Sequence, residues 1–185
     1  MAKALATFGV NPLLLGLARR RGSEGERAAR VIREALTRGL LMWHRKMLPG
    51  HFKPPATVKY AADYTPRAKH YERDKQEEKG HRKPMVFSKK MRDTVLGNTP
   101  ATKASAQGRS VRVQLQLAWH EHMKYWRGRR VTRRGATHNF DREMTAVTPA
   151  EHGKIIDFVE RVTMRAFRTE FEAAEQRMWK KRFRA

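Results

Sequence analysis

His120-Glu121-His122 sets two imidazoles and a carboxylate within three residues. In an extended strand His120 and His122 fall on one face, as a pair of metal ligands or an acid–base pair requires. A metal centre needs a third ligand at diagnostic spacing. None follows, and the chain has no cysteine, so the triplet reads as polar surface beside a strand end. His138-Asn139 evokes a His-Asn nuclease motif but lacks the aspartate, histidine and glycine context of one. There is no glycine-rich phosphate loop, no nucleophile elbow and no pair of carboxylates on a recognisable frame. The expectation is a protein that is not an enzyme and carries no cofactor and no metal.

The run from Trp126 to Arg134 points elsewhere. It carries Arg127, Arg129, Arg130, Arg133 and Arg134, punctuated by Gly128. The formal net charge is +23 and the isoelectric point is near 11.3. Five arginines in one loop of such a chain repel the other basic faces unless an anion is near. Guanidinium groups suit phosphate, and phosphate contact is independent of sequence. No recognition-helix, zinc-finger or RNP-type pattern is present, so no reading of bases is inferred. Trp119 and Trp126 can stack on bases, although such residues more often anchor a core or an interface.

The elements that must position these residues are legible from periodicity. Val111, Val113, Leu115 and Leu117 alternate with Arg112, Gln114 and Gln116, which predicts a strand with one apolar face. Gln107-Gly108 is a turn, and Ala101 to Ala106 is the partner strand of a hairpin. Asn98-Thr99-Pro100 breaks the chain before it. A helix is predicted over 25–47, with Ala28, Val31, Ile32, Ala35, Leu36, Leu40, Trp43 and Met47 as its buried stripe. Its outer face carries Arg27, Arg30, Arg33, Arg38 and Arg45, and Pro49-Gly50 ends it. Thr148-Pro149-Ala150-Glu151 announces a second helix over 150–180: a Thr cap, Pro in the first turn and Glu at the capping-box position. Ile155, Ile156, Val159, Val162, Ala166, Phe167, Phe171, Ala174 and Met178 form its stripe. Residues 137–147 show little pattern.

The expected organisation is an N-terminal arm over 1–22 and one domain over 23–185. The domain contains a long excursion over 51–83, with one helical turn near 70–78, and a basic loop over 119–147. The fold class is α+β: two long helices packed on a small antiparallel sheet, with extended arm and long loops. Hydrophobic residues are 39% of the chain, so the core is modest. No apolar run approaches the ~20 residues of a membrane span, and no membrane partner is expected. The first 23 residues contain no acid, as transit peptides do, but Gly9 and Asn11-Pro12 break a long amphipathic helix there. A docking arm is the preferred reading, with Phe8, Leu13, Leu14 and Leu15 as oligomer contacts.

One segment carries a resemblance. Phe87-Ser88-Lys89-Lys90-Met91-Arg92-Asp93-Thr94-Val95-Leu96 precedes the hairpin, with a basic-faced helix before it and a long helix at the end. This resembles the small neck and tail-completion (head–tail joining) proteins of tailed bacteriophages, in which a Thr-Gly-x-Leu-Arg-x-x-Ile-like segment leads into strands between flanking helices. Phe87-Ser88 stands before Met91-Arg92, Val95 or Leu96 takes the apolar position, and Lys89 replaces the usual glycine. The likeness spans roughly residues 25 to 175. It implies a structural virion protein, made in the host cytoplasm and built into the neck as a homo-oligomeric ring. Its partners would be the adjacent portal or adaptor protein, tail proteins and packaged DNA in the channel. The alternative is a basic ribosomal or mitoribosomal RNA-binding structural protein, since high basicity and Pro-broken arms also suit burial in RNA.

Overall fold

The computed structural model describes residues 23–54, 56–64, 69–80, 89–107, 110–118, 131–133, 136–138 and 140–182. The chain is mostly helical, with a small two-stranded antiparallel sheet. Helix α1 is Ser23–Lys46, of 24 residues, or about 36 Å. A 3-10 turn over Leu48–Phe52 follows, then short helix α2 (Ala56–Lys59) and helix α3 (Lys69–Lys79). Helix α4 is Lys89–Gly97. The hairpin is β1 (Ala101–Gln107) and β2 (Ser110–Gln116). A smaller hairpin, β3 (Val131–Arg133) and β4 (Ala136–His138), precedes helix α5 (Phe140–Thr145) and the 34-residue helix α6 (Pro149–Arg182).

The stripe predicted for α1 is the centre of the core. Ala28, Val31, Ile32, Ala35, Leu36, Leu40 and Trp43 are all buried, because positions three and four apart share a side of the helix. Ile32, Ala35, Leu36, Leu40 and Trp43 share one cluster with Met91 and Val95 of α4, Val113 and Leu115 of β2, Leu117, Met144, and Ile155 and Val159 of α6; Met47, just past the helix, is partly buried against it. Burying each large aliphatic side chain is worth roughly 1.5–3 kcal/mol. The hairpin register pairs Gln107 with Ser110 and Ala101 with Gln116. Gln107, expected in the turn, therefore ends β1, and Gly108 lies outside the described residues. Val113 and Leu115 face the core as alternation requires; the side chain of Val111 lies outside the described ones.

Helix α1 touches both the hairpin and α6, whereas α6 packs chiefly along α1. Of the expected two long helices packed on a small antiparallel sheet, the coarser part holds: helices with a small antiparallel sheet. The close approach is at Gly39: a Cβ there would stand 2.6 Å from Val159 Cγ2 and 3.5 Å from Ile155 Cγ2.

Three stretches hold more structure than their patterns suggest. The excursion over 51–83 contains part of the 3-10 turn, α2 and an eleven-residue α3 in place of one turn. Helix α3 stops where Gly80 takes φ +67° and its N–H bonds to the Gln76 carbonyl, a left-handed cap. The segment before the hairpin is helical, because Met91 and Val95, four residues apart, both enter the core. Residues 131–145, read as part of a loop, hold the second hairpin and α5, and Met144 of α5 is fully buried.

Candidate functional site: a buried histidine, tyrosine and glutamate cluster

Among the described residues, a buried polar cluster forms where the start of the excursion meets the start of α6. The 3-10 turn carries His51 inward, fully buried, and the first turn of α6 presents Glu151, also buried. Tyr60, just past α2, and Tyr64 lie between them. The His51 and Tyr60 rings stack with centroids 3.9 Å apart, and Trp43 meets His51 edge-on at 6.2 Å.

Glu151 is the hub. The Tyr60 hydroxyl donates to its Oε1 at 2.8 Å, and Lys59 Nζ donates to the same oxygen. The Thr148 N–H donates to Oε2 at 3.2 Å, while the Glu151 N–H donates back to Thr148 Oγ1 at 3.2 Å. This reciprocal pair is the capping box that the sequence predicted at the head of α6. A carboxylate there also meets the positive end of the helix dipole. The Tyr64 hydroxyl donates to the His51 carbonyl at 3.0 Å, and Arg142 pairs with Asp63 at 2.5 Å. Together these bonds fasten residues 51–64 to α5 and α6.

The protonation states follow from the surroundings. Burial lowers the His51 pKa to about 4, against the Glu143 carbonyl and the Glu151 charge, which favour the cation. The ring is neutral at pH 7, and Nδ1–H donates to the Glu143 carbonyl at 3.0 Å, which leaves the lone pair on Nε2. Burial and then the bond to Glu151 push the Tyr60 hydroxyl well above its ordinary range, so it stays a donor. Burial acts to raise Glu151, but the bonds from Lys59, Tyr60 and Thr148 outweigh it and the carboxyl is held below its usual value. A neutral imidazole, a protonated phenol and a carboxylate make an acid–base set in principle. His51 and Glu143 are both at 0% exposure.

An open cleft of about 190 Å³ lies nearby, at the carboxyl ends of α1 and α4. Arg45, Pro49, Asn98, Thr99 and Pro100 line it with His44, whose Nε2–H donates to the Val95 carbonyl at 2.9 Å. Among the described residues no group of three or more His, Asp or Glu could hold a metal ion. No helix of the described residues is long and apolar enough to cross a membrane.

Of the arginines expected to meet phosphate, Arg133 ends β3, its backbone paired with Ala136, and its side chain is outside the described ones. Arg127, Arg129, Arg130 and Arg134 lie outside the described residues, as do Phe8, Leu13, Leu14 and Leu15 of the arm and the His120-Glu121-His122 triplet. His138 sits in β4 opposite Val131. Sequence pattern gives little sign of the buried cluster: Tyr60 and Tyr64, four residues apart, are its one signal, and Glu151 reads only as a cap.

Compared with protein-family models, curated proteins and solved structures, the chain matches none.

Proposed function

We propose that this chain is a structural subunit of the neck of a tailed bacteriophage. In this role it is one copy of a homo-oligomeric ring between portal and tail, with DNA in the lumen, and it catalyses nothing. The observation that supports this most is the setting of the segment that carries the likeness. Met91 and Val95 of α4 enter the core shared by α1 and α6, and α4 leads through Asn98-Thr99-Pro100 directly into the β1–β2 hairpin. That is the arrangement the resemblance implies: a helix, a short segment leading into strands, and a long closing helix. The net charge of +23 favours a polyanionic neighbour.

Within this role Arg127, Arg129, Arg130, Arg133 and Arg134 contact DNA phosphates, and Phe8, Leu13, Leu14 and Leu15 contact a neighbouring subunit. Rings close through head-to-tail contacts, and an arm laid on the next copy is one way to make them. The test is electron microscopy of the purified protein and of its native assembly. Closed rings of one chain type support the proposal. Single-copy incorporation into an RNA particle would replace it with the ribosomal alternative. The loop has its own test in the salt dependence of binding to duplex DNA. Five neutralised phosphates give a slope of log K against log salt of roughly −4 to −5. Replacing the five arginines with Gln should flatten that contribution equally for any duplex sequence.

A further inference from the structure

We infer that the outward face of α1 is a second, rigid phosphate-binding surface for duplex DNA, formed by Arg27, Arg30 and Arg45. This rests on the reading of the chain as a DNA-facing neck subunit, and it adds three arginines of α1 to those of the basic loop. At 100° per residue the three positions fall within about 60° of arc and span about 27 Å of helix. All three are exposed, while Ala28, Ile32 and Ala35 on the other side of the helix are buried. None of the three has a carboxylate within ion-pair distance among the described residues. Arg38 on the same face differs, because Glu34 holds it at 2.6 Å.

A solvated charged face would serve solubility equally well with lysine, yet every exposed cation on this face is an arginine. The guanidinium is weakly hydrated and matches phosphate oxygens two at a time. Unpaired cations fixed on a helix of a chain with net charge +23 also repel one another until an anion arrives.

The stiffness of the face selects the duplex over a single strand. Ile32 and Ala35 are fully buried, so the row is presented on a helix that cannot bend to follow a flexible chain. Each DNA strand offers a phosphate about every 3.4 Å of axis, so ~27 Å of helix spans about eight on the nearer strand. Three guanidinium groups find partners along it in any register, and contact is therefore independent of sequence.

The test uses the full chain and a short fluorescent DNA duplex, with anisotropy followed across a salt series. The variant Arg27→Gln/Arg30→Gln/Arg45→Gln is compared with Lys69→Gln/Lys90→Gln/Lys103→Gln, which removes the same charge from exposed positions elsewhere. The α1 variant should reduce the salt slope by roughly 2.7, at about 0.9 per phosphate, and the lysine variant should leave it near the wild-type value. Thermal melts of both should match the wild type, since the six side chains are not in the core. Equal slope changes in the two variants, or none in the α1 variant, overturn the inference. Tighter binding of single-stranded RNA than of duplex by the wild type, lost in the α1 variant, also overturns it. Absence of rings by electron microscopy with the slope change intact would sink the neck proposal and leave this surface standing.

Discussion

At the scale of single residues, His51 and Glu151 are buried polar groups held at one place, where the Glu143 carbonyl bonds His51 and Tyr60 and Lys59 bond Glu151, while His44, Lys75 and Thr163 are buried elsewhere. Because the folded pKa of His51 is depressed from 6.5 to about 4, the unfolded chain binds more protons between those values. Stability is therefore full above about pH 6.5 and is lost as pH falls toward 4, by about 3 kcal/mol for a shift of this size. Glu151, also depressed, loses its contribution in the same direction as pH falls through its folded pKa. Urea unfolding at pH 7.5 and pH 4.5 should show this loss, and His51→Gln should flatten much of it while lowering stability at pH 7.5. Glu151→Ala removes the cap and leaves the Tyr60 hydroxyl buried without its acceptor. It should cost about 2–4 kcal/mol in the same assay at pH 7.5. Val113→Asp places an unpaired charge in the core and should prevent folding; a soluble variant with an unchanged melting temperature would refute the burial of β2.

At the scale of elements, the joint between α1 and α6 depends on one missing side chain. The Cβ of an alanine at 39 would overlap Val159, which is β-branched and stiff within a helix. Gly39→Ala gains about 1 kcal/mol of helix propensity and loses about 1–3 to overpacking. The net expectation is a lower thermal midpoint. Because the clash is with one side chain, Val159→Ala in the same chain should cost less than the two single changes added together. A Gly39→Ala chain that melts higher than wild type would mean the helices sit farther apart. The hairpin is anchored differently: alternation alone fixes its face, since a slip of one residue would turn Val113 and Leu115 to solvent.

At the scale of the whole molecule, the charge and the arm decide the predictions. Among the described residues α1 buries its stripe against α4, β2 and α6, and residues 1–22 lie outside them. Deleting residues 1–20 should leave the monomer folded, by circular dichroism and urea midpoint, and should weaken ring assembly seen by electron microscopy. A loss of several kcal/mol in the monomer would assign the arm to the chain's own core. Replacing the arginines of both proposed phosphate surfaces, the basic loop and α1, should lower the salt slope by the sum of the two separate changes.

The two long helices, the first hairpin and the cap are legible in the sequence because each is set by neighbours a few residues away. Three- and four-residue spacing marked the buried face of α1, strict alternation marked β2, and Thr148 with Glu151 marked the first turn of α6. Helix α4 was harder, since nine residues with two apolar anchors hardly differ from an ordered loop. What only the tertiary structure decided is where the polar side chains of the excursion go. The His51 ring bonds to a carbonyl 92 residues away, and Tyr60 bonds to a carboxylate 91 residues away. Local periodicity carries no trace of such partners. Whether a histidine after Pro49-Gly50 is solvated or buried depends on what distant chain arrives to replace its water. Here α5 and α6 bring a carbonyl and a charge close enough to offset the cost of removing it.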